Sequence, residues 1–573
     1  MLNACRRVGL RHKCHSSAWS VAAASLAFVA TLSVAPAAQC PTGKLTAPAP
    51  IPGDQFGRAL AGDSNELVVG GNLSVRVFVL GDNGTPVNEM DDGWTLQSSL
   101  LSPDPLKSDD YGCSVWLEED HLIVGARTAG GVFGFGNGAV HIYGRVANGP
   151  SPLDDTWNEE AEVQQPLGPG NPHGFGTAVC LSRDYAAIGA PGEHVGAPGF
   201  AGGTVHILLR IPAATDHDAT DQWVEQTTVN GLDSSFAAFG RTLRLNGEHL
   251  VVGAPMGLGA VYHFWRDDMS TAADPTDDVW IEHARVMPAD GTTGIGFGKA
   301  LDFDGTLMAV GASSKAYLFR LNDNGTRQDF NDDFWTEEAT LAPADGLFTN
   351  AYGSAVAVHE SLALVGDYLK NEGDRFGATF VFRQADEGSS ALDASWIQVV
   401  KLASPQAFAQ KFGATLRLDG ARAFVGETGN FSSLVADDAE TGAVWPYAMA
   451  VPPWTFQDAA LAGTGAPPCM MGSGSLEPGA TTVVAMAHDL ANAPTAVVVG
   501  LTALEGAFKG GVLVPEPDYI FGLATDPAGL IELTARWPAG AASGMTFYVQ
   551  AWTVDPQAPA GFSATNGVRG VTP

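Results

Sequence analysis

This 573-residue chain carries little charge, and most of it is of one sign. Charged residues make up 16%, with 63 Asp and Glu against 30 Lys and Arg, a formal net charge of −33. A field of that sign repels the phosphates of nucleic acid and of anionic membranes, so neither is expected as a partner. Cysteine is scarce. The six lie at positions 5, 14, 40, 113, 180 and 469, and none are spaced as CxxC, which excludes a zinc ribbon or a thioredoxin-type site. No long apolar run follows the first 37 residues, and no helical periodicity of useful length occurs between residues 50 and 450. Catalytic signatures are missing as well: there is no HExxH, no GxSxG elbow and no Walker glycine loop. GFGNG (134–138) opens a strand rather than a helix, so it lacks the helix N-terminus that cradles phosphate.

What the chain does have begins with a targeting pattern. Arg6, Arg7, Arg11 and Lys13 precede an apolar run from Ala18 to about Ala35, and Ala35-Pro36-Ala37 offers small residues for cleavage. This reads as a signal peptide over residues 1–37. The expected location is secreted, periplasmic or cell-surface, with no transmembrane segment after cleavage. An oxidising compartment permits disulfides among Cys40, Cys113, Cys180 and Cys469. Cys113 and Cys180 either pair or remain two buried thiols.

The rest is repetition. Seven repeats open on an aromatic-glycine pair, at Phe56, Tyr111, Phe175, Phe239, Phe297, Tyr352 and Phe412. Each is followed by an apolar-glycine pair, such as Val252-Gly253, and then by a segment such as GAVYHF (259–264). Trp94, Trp157, Trp223, Trp280, Trp335 and Trp396 open a fourth element, at constant distance from the next aromatic-glycine pair. All four elements have strand chemistry, and Asn246-Gly247, Asp304-Gly305 and Asp419-Gly420 suit tight hairpins. A four-stranded meander repeated this way buries its faces by radial stacking. The fold class expected is all-β: a seven-bladed β-propeller of four-stranded blades over residues 38–453, followed by a small β-sandwich over residues 454–573. These phenylalanines, tyrosines and tryptophans are then blade core. The seventh repeat lacks a fourth strand, and the segment around Lys44–Ala47 resembles one, so it is expected to close the last blade. Cys40 and Cys469 flank that closure and are the disulfide candidates.

These motifs resemble the FG-GAP repeat of integrin α-subunit propellers, and more closely a bacterial variant whose unit begins with Trp, as in WIEHARVMPADGTTGIGFGKALDFDGTLMAVGA (280–312). The resemblance covers roughly residues 44 to 450 and implies a propeller used for extracellular recognition or adhesion. The DxDxDG calcium loop of that family has no counterpart here, so its metal sites are not carried over. Acidic residues do recur before the tryptophans, at Asp91-Asp92, Asp154-Asp155, Asp221, Asp277-Asp278, Asp332-Asp333 and Asp393. Either they set turns through backbone hydrogen bonds, or they form a looser calcium site, for which Asp277, Asp278, Asp332 and Asp333 are the first candidates. The function expected is that of an exported, monomeric binding protein. It would recognise an extracellular protein or glycan through propeller-face loops, of which 126–138 and 427–441 vary most. A structural envelope or matrix component is the alternative, and a polysaccharide-acting enzyme comes third. No catalytic or cofactor-binding residue is assigned.

Overall fold

The computed structural model describes residues 41–573 apart from 49–53, 63–64, 82–92, 104–108, 130–135, 165–172, 194–201, 213–220, 232–236, 272–273, 292–295, 327–329, 331, 374–375, 386–394, 406–410, 421, 430–441, 450–452, 458–459, 464–467, 488–489, 528 and 559. Residues 1–37, expected to be a signal peptide, and Cys40, Asp91, Asp92 and Asp393 therefore lie outside the described residues. Two compact units are present, one within 41–449 and one within 450–573. Among the described residues the regular structure is strand, with two short 3-10 turns at Pro152–Asp154 and Pro275–Asp277. No helix among them is long and apolar enough to cross a membrane.

Thr242–Asn246, His249–Ala254, Ala260–Asp267 and Val279–Val286 show how one repeat folds. They pair antiparallel in that order, with Leu243 opposite Val252 and Val252 opposite Tyr262. Gly247, in the first link, has φ +59, which Asn-Gly turns supply at little cost. The second and third strands are apolar on both faces and almost wholly buried, whereas the fourth alternates. Continuous apolar strands inside and a half-exposed strand outside are what stacking between neighbouring sheets demands. The same strand order recurs between residues 59 and 101, 111 and 164, 178 and 229, and 300 and 341.

Val356–His359, Leu362–Asn371, Phe376–Gln384 and Trp396–Ala403 repeat the pattern. One parallel bridge, Gly377 to Phe412, joins them to Phe412–Asp419, Arg422–Glu427 and Ala443–Ala448. Among the described residues this last set has no fourth strand of its own. The N-terminal segment runs beside it instead: Leu45 N–H donates to Val444 O at 2.8 Å, Val444 N–H donates back at 3.0 Å, and Thr42 N–H donates to Pro446 O at 2.9 Å. Leu45 and Ala47 are buried with Phe56, Phe424 and Val444.

The two glycines of each repeat meet across sheets. In all seven aromatic-glycine pairs the glycine has φ between +77 and +91, a region that side chains avoid. A Cβ on Gly70 would overlap the carbonyl oxygen of Gly112, and the same relation links each apolar-glycine pair to the next aromatic-glycine pair. It ends with Gly426 against the carbonyl of Gly57, so the last repeat abuts the first. Phe56, Tyr111, Phe239, Phe297 and Phe412 beside these glycines are 0% exposed, and Phe175 and Tyr352 nearly so.

A second device locks sheet to sheet. Where the fourth strand pairs with the third, the register slips at one equivalent place in six sheets, leaving Gln97, Glu160, Gln226, His283, Glu338 and Val399 unpaired. Each is a β-bulge three residues after the strand's tryptophan. The bulge re-aims a side chain sideways, toward the tryptophan of the next sheet. Trp157 Nε1–H donates to Gln97 at 2.9 Å, Trp223 to Glu160 at 3.1 Å and Trp396 to Glu338 at 2.6 Å. Trp335 instead donates to His263 Nδ1 at 3.1 Å, while Trp280 Nε1 and Gln226 Oε1 are both buried without a partner. Trp94 packs edge-on against Phe424.

In the second unit, Trp454–Gln457, Gly567–Val571, Thr546–Val554, Pro494–Gly500 and Tyr519–Ala524 form one sheet. Cys469–Ser473, Thr481–Ala487 and Ile531–Arg536 form another. Met470, Val484, Met486 and Ile531 of the smaller sheet share a core with Trp454, Val497, Phe547 and Val568 of the larger. Cys469 is disulfide-bonded, to a partner outside the described residues. Cys113 and Cys180 are free, so the pairing considered for them does not form. Cys180 is buried against Leu245, and that burial pushes its thiol up to about 12.

Candidate functional site

The first strands of all seven repeats line one cavity of about 400 Å³. The residue that follows each aromatic-glycine pair stands at its wall: Arg58, Cys113, Thr177, Arg241, Lys299, Ser354 and Ala414. Small residues come next, among them Ala59, Ser114, Ala178 and Ala300, which leaves the space open. Arg127, just past the second strand His121–Ala126, joins the wall. Strand two ends where strand one begins, so the loops between strands two and three leave from this same end. The loop at 126–138 is one of these; of the loop at 427–441, residues 430–441 lie outside the described set.

Deeper in, Trp116 lies between two guanidinium groups, Arg244 at 5.1 Å and Arg417 at 5.0 Å from the ring. Arg244 is paired to Asp302 at 2.8 Å. Beyond them a second cavity of about 280 Å³ is lined by Glu118, Asp302, Asp304 and Asp419, among others. The two cavities thus have opposite character, cationic on one side of Trp116 and acidic on the other.

The cations of the first cavity are not fully compensated. Arg58 and Arg127 share a single carboxylate, Asp110, at 2.6 Å and 2.5 Å. Burial pushes the Asp110 carboxyl up, but the two guanidinium groups outweigh it and hold it below the usual range. Arg241, whose surface is exposed at the wall, makes no side-chain hydrogen bond or ion pair with a described residue; burial, then Arg127 and Arg58, push its pKa down. Lys299 likewise has no ion pair among the described residues, and burial lowers its pKa against an opposing pull from Asp367. A cation depressed by burial and by like charges gains free energy from an arriving anion. An arriving acidic group would meet two unpaired cations there.

The aspartates considered for calcium have the following partners. Asp278 accepts from Arg266 and from the Tyr185 hydroxyl. Asp155 with Arg145 and Asp221 with Arg210, each 3.6 Å apart, repeat that pairing between the end of strand three and the start of strand four. Asp277 accepts from Thr271 at 2.7 Å, and Asp332 from Thr326 at 2.7 Å. Asp333 is buried, and its carbonyl accepts from His283 at 2.9 Å. The one set of three close metal-type side chains among the described residues is His121, Glu160 and Asp221. Arg210 already reaches that set, 3.3 Å from His121. Sequence reasoning missed the cavity cations; for Arg58, Arg241 and Lys299 the signal is their shared place directly after the aromatic-glycine pair.

Comparison with known proteins gives a family match. The family model of the FG-GAP repeat matches residues 94–143 and 335–382. Both segments open on a tryptophan and run from the fourth strand of one sheet through the third strand of the next. No curated protein matches the chain. Among solved structures, a chain titled "Crystal Structure of Mitotic Checkpoint Complex" aligns at 14% identity and a TM-score of 0.40, covering 77% of this chain and 100% of that one. A likeness that weak carries no argument.

Proposed function

Starting from a chain that carries FG-GAP repeats, we propose that it is an exported binding protein that grips an acidic group of an extracellular protein or glycan. Residues 38–453 form a seven-bladed propeller in this reading, and residues 454–573 a β-sandwich. The run of glycine contacts that returns from Gly426 to Gly57 supports the ring. The observation that carries the binding role is the pair Arg241 and Lys299, unpaired at the wall of the first cavity in a chain of net charge −33. Neither cation has a partner among the described residues, so both can meet an acidic group that enters the cavity. The overall field still rejects long polyanions, so the ligand presents one acidic group rather than many.

The test is a glycan array probed with the full chain, using uronic-acid, sialylated, sulfated and neutral sugars. Acidic glycans should be retained, binding should weaken as salt rises, and Arg241→Ala with Lys299→Ala should remove it. Retention of neutral glycans alone, or an unchanged double variant, would overturn this reading.

A further inference from the structure

We infer that the unit within 450–573 contains a binding site for a small, neutral, ring-bearing molecule that offers one hydrogen-bond acceptor. A cavity of about 270 Å³ opens between its two sheets. Val484, Leu533 and Ala535 of the smaller sheet form one wall; Val499, Phe521 and Phe547 of the larger form the other. Trp537 closes it, stacked on Phe547 with ring centroids 5.2 Å apart and planes at 26°. Leu501 and Tyr519, 53% and 46% exposed, stand at the rim, so the cavity is reachable from solvent.

Three observations set the ligand's chemistry. Interiors of proteins rarely leave voids larger than a water molecule, because each wall forfeits its contacts. Water fits this cavity poorly, since a buried water needs two to four polar partners. The Thr482 hydroxyl already donates to Ser475 O, and Trp454 Nε1–H already donates to Gly474 O at 2.8 Å. Among the buried polar atoms of the lining, what remains is the Trp537 indole N–H, which has no acceptor among the described residues. A buried donor left unmade is unfavourable, and a ligand oxygen would satisfy it.

Charge is not called for. Along Ile531–Arg536, Leu533 and Ala535 turn toward the cavity while Glu532 and Thr534 alternate outward; Arg536, the one charged residue along the lining, is exposed to solvent. The size follows by proportion: a cavity of ~150 Å³ takes benzene, so one of about 270 Å³ takes roughly ten non-hydrogen atoms. Flat aromatic walls favour an aromatic or alicyclic body.

The experiment titrates the full chain with propiophenone and with propylbenzene, which share a shape but not the carbonyl, and follows tryptophan fluorescence and calorimetric heat. Both should saturate, with the ketone about threefold to tenfold tighter. Trp537→Phe should erase that preference while propylbenzene still binds, and Leu533→Trp, which fills the space, should block both. Near-UV circular dichroism confirms that each variant is folded, and Val484→Phe replaces Leu533→Trp if the latter is not. Failure of either compound to saturate, or a ketone preference that survives in Trp537→Phe, would overturn the assignment. So would tighter binding of phenylacetate that vanishes in Arg536→Ala, since the site would then be one for anions.

Discussion

Removing residues 41–47 should unfold the 41–449 unit or bring it close to unfolding. The segment contributes three backbone hydrogen bonds, Thr42 to Pro446 and two between Leu45 and Val444. At about 1 kcal/mol each they account for roughly 3 kcal/mol. Leu45, 8% exposed among Phe56, Phe424 and Val444, adds about 2–4 kcal/mol by comparison with Leu→Ala changes in other cores. The sum, roughly 5–7 kcal/mol, is comparable to the whole stability of many domains. The assay is urea denaturation followed by near-UV circular dichroism, together with hydrogen exchange at the Val444 amide. Leu45→Ala alone should lower stability by about 2–4 kcal/mol and leave the exchange of central strands such as His249–Ala254 nearly unchanged. A deletion variant that melts within about 2 °C of the parent, or a Val444 amide that stays protected in it, would refute the closure.

Other expectations follow from the packing between sheets. Gly426→Ala drives a Cβ into Thr415 and the Gly57 carbonyl and should cost about 3 kcal/mol, whereas Gly346→Ala, at φ +65 in open space, should cost about 1 kcal/mol. Trp396→Phe removes the donor to Glu338 and should cost about 1.5–3 kcal/mol; Trp280→Phe removes an N–H that has no acceptor and should cost clearly less, both read from urea midpoints. His263, fully buried, accepts at Nδ1 from Trp335, which can only donate, and so donates from Nε2 to His249 Nδ1 at 3.0 Å. Burial first, then His249 and His283, push its pKa well down. The unfolded chain therefore takes up more protons, so the stability His263 confers is full above about pH 6.5 and falls by about 1.4 kcal/mol per pH unit below it. A urea midpoint for His263→Leu that falls as steeply as the parent's between pH 6.5 and 5.5 would contradict this.

Much of this was readable from the residues. Alternation and Asn246-Gly247 mark the strands and the turn between them, and the likeness of Lys44–Ala47 to a fourth strand anticipates its place beside Val444. The bulge residues are harder to see. Gln97, Glu160, Gln226, His283, Glu338 and Val399 share a position three after a tryptophan but not a residue type, and only the register slip shows that they leave the ladder. The partners of the aspartates before the tryptophans were not legible, because the arginines that engage Asp155, Asp221 and Asp278 sit on a strand some ten residues earlier. The cationic cavity was hidden for another reason. A net charge sums over the whole chain, while Arg58, Arg127, Arg241 and Lys299 come from four separate repeats and meet only once the first strands converge.

The offset between the sequence unit and the sheet bears on how such a chain can grow. A unit that opens on its tryptophan contributes the outer strand of one sheet and the three inner strands of the next. Copying one unit in tandem therefore copies both halves of the latch: a tryptophan to reach back to the preceding unit, and a bulge side chain to receive the tryptophan that follows. Neither joint needs a compensating change elsewhere. The terminal segment at Leu45 meets whichever unit happens to be last, so gene duplication could alter the number of units without redesigning the seam.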